Sequence, residues 1–153
     1  MPSAPPGDPV EEPQATAEAV RAQMYGRDRA AQALGITVEA IGPGSAVCRM
    51  GVRDDMLNGH ATCHGGLIFT LADTAFAYAC NAGNRATVAL TCQVTFIAPA
   101  RQGDILTASA REQSRTGRTG VYDVEVRRDD GMVVALFRGQ AYEVRGAVVR
   151  PEP

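Results

Sequence analysis

Residues 64–83 read HGGLIFTLADTAFAYACNAG, and Asp73 is the only carboxylate in that run. On a helix, Thr70, Asp73, Thr74, Ala77 and Asn81 recur at the three- and four-residue spacings of one face, a narrow polar stripe on an otherwise apolar cylinder. A stripe of that length facing water would collect Lys, Arg or Glu, and this one holds threonines, an alanine and a single acid. Two plain readings are a solvated face and a buried aspartate satisfied by neighbouring hydroxyls. The pattern leans towards a third: a carboxylate in a cleft or subunit interface, where desolvation raises its proton affinity and makes it a base.

The start of the run supplies a second chemical part. His64 is followed by Gly65 and Gly66, at the point where the first backbone N–H groups of a helix have no internal acceptor. Glycines there let a ligand oxygen approach those donors closely, and the helix dipole adds positive potential. Together these make an oxyanion hole, although a tight turn would also account for the glycines. Eight residues separate Gly65 from Asp73, about 12 Å along a helix. A donor to a carbonyl oxygen and a base acting at that carbonyl must converge within about 3 Å of one small group. One helix cannot bring both to the same carbon. If both act, the helix meets its own copy across a two-fold axis, with Gly65 from one chain and Asp73 from the other.

Ahead of this helix, residues 1–14 contain five of the nine prolines and read as a disordered tail. A helix is predicted over Thr16–Leu34, with Thr16 as its N-cap and Gly35 ending it. Strands are predicted over Ile36–Ile41 and Ala46–Val52, divided by the turn GPGS. The segment DDMLNGHATCHGG is a glycine-dotted loop into the long helix. Beyond Gly83 the period changes to two: Leu90, Cys92, Val94 and Phe96 share one face, and Tyr122, Val124 and Val126 another. With Ile105–Arg111 and Met132–Val144, joined by the turns RTGRTG and RDDG, the second half is an antiparallel meander. The fold class is α+β, a long apolar helix against a sheet of about six strands, preceded by an N-terminal helix. The chain divides into the tail 1–14, one domain over 15–146 and a C-terminal tail over 147–153.

The chain has 153 residues, 45% of them hydrophobic and 21% charged, with a net charge of −2. That balance offers no footprint for nucleic acid or a membrane surface. All fifteen basic residues are arginine, a coding bias above all, though some could hold phosphates. Four cysteines form no CxxC pair, which with the absence of a secretory leader or an apolar span of about 18 residues points to a cytoplasmic protein. His60, Cys63 and His64 lack a fourth ligand for a metal, and no GxSxG elbow supports serine chemistry.

The segments NGHATCHGGLIFTLADTAFAYACN, TGVYDVEV and VALFRGQAY closely resemble the hotdog-fold acyl-CoA thioesterases of phenylacetate degradation, the PaaI type, from about Thr16 to Val144. The resemblance implies a long helix wrapped by an antiparallel sheet, and dimers pairing into a homotetramer. It also implies hydrolysis of phenylacetyl- or hydroxyphenylacetyl-CoA to acid and free CoA, with no cofactor beyond the CoA of the substrate. By the same resemblance Asp73 is the nucleophile or general base, and Gly65 the backbone donor to the thioester oxygen. Asn58 orients substrate or water, and His64 holds the carbonyl or the loop. Arg115, Arg118 and Thr119, in SRTGRTG, are candidates to meet the CoA phosphates, a solvated turn being the plainer account of them. Position 89 is alanine where some animal relatives carry a serine near the site. Two other activities fit the chain less well: a non-catalytic acyl-CoA-binding regulatory module, and an acyl-thioester hydratase or dehydratase.

Overall fold

A computed structural model describes residues 12–153. The predicted N-terminal tail lies almost wholly outside those residues, but its boundary is too late, because helix α1 already runs over Pro13–Tyr25. Pro13 occupies the first helical turn, where its missing N–H costs nothing, so Thr16 lies inside the helix and does not cap it. The expected single helix to Leu34 is broken. Asp28 starts a second helix, α2 (Arg29–Ala33), by accepting the Ala31 N–H at 3.2 Å, and its other oxygen accepts the Tyr78 hydroxyl at 3.1 Å. A residue that caps a new helix and anchors it to the core cannot also continue the old one. Gly35 ends α2 with φ +66°, a conformation costly for other residues.

Six antiparallel strands follow: β1 (Thr37–Gly42), β2 (Ser45–Gly51), β3 (Thr87–Phe96), β4 (Ile105–Thr116), β5 (Thr119–Arg128) and β6 (Val133–Glu143). They form one sheet in the order β1-β2-β4-β5-β6-β3. The central helix α3 (Gly65–Asn81) is inserted between β2 and β3 and lies on the inner face of the sheet. Leu71, Ala72, Ala75, Phe76, Tyr78 and Ala79 on α3 are buried there, against Leu106, Ala108 and Ala110 of β4 and Tyr122, Val124 and Val126 of β5. Each large apolar side chain so buried stabilises the fold by about 1.5–3 kcal/mol. Phe76 sits between Phe137 and Tyr122, and its ring lies so close to Gly139 of β6 that a Cβ there would stand 2.8 Å from it.

The two-residue period of β5 has the parity expected, and Tyr122, Val124 and Val126 are all inward and buried. On β3 Cys92 lies opposite Gly139 and Phe96 opposite Ala135, towards α3, but a bulge between Ala89 and Thr91 takes Leu90 out of the expected alternation, and the strand is only partly covered. β3 is an edge strand, and Val88, Leu90 and Phe96 stay half exposed or more in the single chain. The expected C-terminal tail begins anchored, since Asn84 exchanges hydrogen bonds with the backbone of Val149. Among the described residues, no helix is long and apolar enough to cross a membrane.

Candidate active site

The loop ahead of α3 is organised by Asn58. Its Oδ1 accepts from the His60 N–H at 2.9 Å, the Thr62 N–H at 3.3 Å and the Thr62 hydroxyl at 3.2 Å. The side-chain amide has no hydrogen bond to another described residue, so its N–H groups are free for a ligand. The loop is closed by the Asn58 N–H bonding to Thr62 O, and it is pinned to the body through Cys63 N–H to Ala100 O and His64 N–H to Met56 O.

His64 caps α3. Its backbone is extended, with φ −59° and ψ 130°, and Nδ1 accepts the Gly66 N–H at 3.3 Å, which leaves the imidazole proton on Nε2. Leu67 and Ile68 donate to the His64 carbonyl. Of the first four amides of the helix, Gly65 alone has no acceptor among the described residues. Sequence spacing picks out both glycines; the cap distinguishes between them. The Gly66 N–H is spent and the Gly65 N–H is free. Phe96 covers the α-carbon of Gly65 closely, since a Cβ there would lie 2.9 Å from the ring.

Asp73 lies two turns further along α3 and is half-buried. The threonines of its stripe do not satisfy it. The Thr70 hydroxyl donates to Gly66 O at 2.9 Å and the Thr74 hydroxyl to Thr70 O at 2.7 Å, both back along their own helix. Asn81 is likewise committed, bridging Ala77 O and the backbone of Thr87. The side-chain contact that Asp73 does make is a long one, from the Cys92 thiol on β3, 4.0 Å from Oδ1. Burial, with the negative charge of Asp28 adding to it, holds the Asp73 carboxyl above the usual carboxylate range. The same burial and the nearness of Asp73 push the Cys92 thiol up to about 11, so it stays protonated at neutral pH. A carboxylate with so little hydrogen bonding is a strong base for its type.

Asn58, His64 and Gly65 are therefore brought together at the N-terminal end of α3, and Asp73 stands about 12 Å away along the same helix. Arg115, Arg118 and Thr119 lie at its other end. Arg115 is turned inward, its side chain only 12% exposed. It donates to Cys80 O, the Tyr122 hydroxyl and the Thr87 hydroxyl, and pairs with Glu143 at 3.1 Å. It is thus a cation capping the C-terminus of α3, with both terminal nitrogens committed to the protein. Arg118, at the tip of the β4–β5 hairpin, is exposed and has no side-chain partner among the described residues, and the Thr119 hydroxyl donates to Thr116 O. Cys92 is not evident from residue type as part of the site, and Phe96 reads from the sequence as pocket lining or plain core, as do Leu67, Phe69 and Phe76. The alternating pattern of LTCQVTF places both on the face that meets α3, which is the signal that finds them.

Residues 60–135 match the family profile of the thioesterase superfamily. The chain is 47% identical over 125 residues to the acyl-coenzyme A thioesterase PaaI of Escherichia coli K12, covering 82% of this chain and 89% of that protein. It is 34% identical over 127 residues to a putative esterase of Archaeoglobus fulgidus, covering 83% and 82% of the two chains. The fold superposes on the structure of the E. coli PaaI protein with a TM-score of 0.88 at 44% identity, over 89% of this chain and 99% of that one. It also superposes on the phenylacetic acid degradation protein PaaI of Thermus thermophilus, with a TM-score of 0.74 at 40% identity over 76% and 100% of the chains. Helix, sheet and sequence agree: the chain belongs to the thioesterase superfamily, as a hotdog-fold thioesterase of the PaaI type.

Proposed function

We propose that the protein hydrolyses aryl acyl-CoA thioesters, phenylacetyl-CoA or hydroxyphenylacetyl-CoA, to the free acid and CoA, at a site shared by two protomers. The observation that carries this reading is the pair of uncommitted groups on α3, the Gly65 N–H and the Asp73 carboxylate. The Gly65 amide of one protomer holds the thioester oxygen as it gains negative charge. Asp73 of the other protomer removes a proton from water as the water oxygen bonds to the carbonyl carbon, or attacks that carbon itself and is then released by water. The carbon–sulfur bond breaks, and CoA departs with a proton on sulfur. Asn58 directs its free amide at substrate or water, and His64 fixes the first turn so that Gly65 alone is open.

Support for the shared site comes from β3. Its outer edge is unpaired in one chain and carries exposed Val88 and Leu90, as an edge awaiting a second copy would. On the protomer that supplies Asp73, α3 ends about 12 Å past the carboxylate, and the Arg118 hairpin lies beyond that end. There Arg118 and Thr119 would meet the CoA phosphates, while Arg115 caps the end of α3; two such dimers would form the tetramer implied by the family.

A panel of acyl-CoAs followed by free-thiol release tests the reading. Release from the arylacetyl thioesters, lost in Asp73→Asn, is expected. Retention of ligand with no release from any acyl chain would overturn it. Single turnover in ¹⁸O-labelled water separates the two roles of Asp73, because only the nucleophile acquires label.

A further inference from the structure

Of Leu67, Phe69, Phe76 and Phe96, Phe76 is buried in the core, and Leu67 and Phe69 are partly buried against it. Phe69 meets Phe137 edge-on at 5.4 Å between ring centres, Phe76 is fixed between Phe137 and Tyr122, and Leu67 packs on the same cluster. Phe96 is different. It ends β3, turns towards α3, and remains 52% exposed while one side of its ring rests on Gly65. In the single chain, an aromatic surface left open by its own fold therefore stands beside the one uncommitted amide of the helix start.

We infer that Phe96 is the specificity residue for the acyl group, its free ring surface receiving the ring of an aryl thioester. The inference rests on Gly65 as the carbonyl donor. An oxygen bonded to the Gly65 N–H sits about 3 Å from that nitrogen. A Cβ built on that residue would stand 2.9 Å from the Phe96 ring, so a carbonyl held by its N–H is bound next to that ring. In an arylacetyl group one methylene separates carbonyl and ring, which allows the two rings to reach the separation of about 4.5–7 Å at which aromatic pairs attract. A straight alkyl chain can occupy the same space but has no quadrupole to match.

The test compares kcat/KM for phenylacetyl-CoA and hexanoyl-CoA in the full-length protein. Phe96→Leu keeps apolar cover over the strand but loses the flat ring, and should lower the aryl-to-alkyl ratio about two- to twelvefold. Phe96→Tyr should retain the ratio. Sedimentation of each variant checks that assembly is unchanged, and if the leucine variant fails to assemble, Phe96→Met is read in its place. An equal loss on both substrates would overturn the inference, because the ring would then be touching the pantetheine arm they share or merely holding Gly65. An unchanged ratio would overturn it as well. If wild type hydrolyses phenylacetyl-CoA and the ratio does not move, the acyl assignment alone fails. If wild type hydrolyses neither thioester, the arylacetyl-CoA reading fails and takes this inference with it.

Discussion

Replacing Gly65 by proline removes the N–H on which the site depends, at a position of the helix that accepts proline. Proline is accepted at the first position of a helix, where the amide has no internal partner, and Gly65 is that position in α3. The preceding residue must be extended, and His64 already has ψ 130°. No hydrogen bond within the described residues is lost, because the Gly65 N–H makes none. Proline does add a Cβ, which would stand 2.9 Å from Phe96 Cζ and displace the ring. Gly65→Ala adds the same Cβ but keeps the N–H, so the ratio of alanine to proline variants reports the loss of the donor together with the proline Cδ that takes its place. Loss of one preorganised oxyanion donor costs about 10²–10³ in rate, or about 2.7–4 kcal/mol of transition-state stabilisation. Thiol release from phenylacetyl-CoA at saturating substrate should therefore be about 10²–10³-fold slower in Gly65→Pro than in Gly65→Ala, with thermal unfolding of the two variants nearly coincident. Equal rates in the two variants would refute a role for this amide.

For Asp73→Asn, kcat/KM should fall by about 10²–10⁴, the range of a positioned base. In wild type the acid limb of the pH–rate profile should lie above the usual carboxylate range, because burial and Asp28 raise the Asp73 pKa. The same shift opposes folding fully above the folded-state pKa and fades as pH falls to the unfolded value, so Asp73→Asn should melt higher than wild type at neutral pH and lose that advantage in acid. Arg115→Met should lower stability by about 3 kcal/mol in denaturant titrations, through its lost bonds to Cys80, Thr87, Tyr122 and Glu143, while leaving KM for acyl-CoA unchanged. Arg118→Ala should do the converse, raising KM by up to about fivefold at unchanged stability. Gly139→Ala forces a Cβ against the Phe76 ring and should cost about 1–3 kcal/mol by the same titration.

The long helix and the meander are legible in the sequence because their apolar periods are strong and their turns carry glycine. Asp73 stands out there by being the one charge in that helix. What escapes is what one-residue changes decide. A bulge in β4 between Glu112 and Ser114 reverses the facing of the strand, so that Glu112 lies opposite Tyr122 and Arg115 opposite Gly120, both on the inner side. No alternation pattern announces that slip, and Arg115 in a glycine-rich turn therefore reads as a surface cation. The break at Asp28 escapes for a related reason, since its bond to Tyr78 spans 50 residues. Periodicity also states which face of β3 is apolar without stating what covers it. The choice between Gly65 and Gly66 depends on a single imidazole rotamer.

Co-expression of Asp73→Asn with Gly65→Pro tests the shared site most directly. Each homodimer carries two broken sites. In a mixed dimer, one site combines the intact Gly65 of the first chain with the intact Asp73 of the second, and the other has neither. Random pairing then restores about one quarter of the wild-type active sites. The account predicts that recovery of thiol release on mixing two inactive chains. No recovery, in a sample shown by mass spectrometry to contain the mixed dimer, would contradict it.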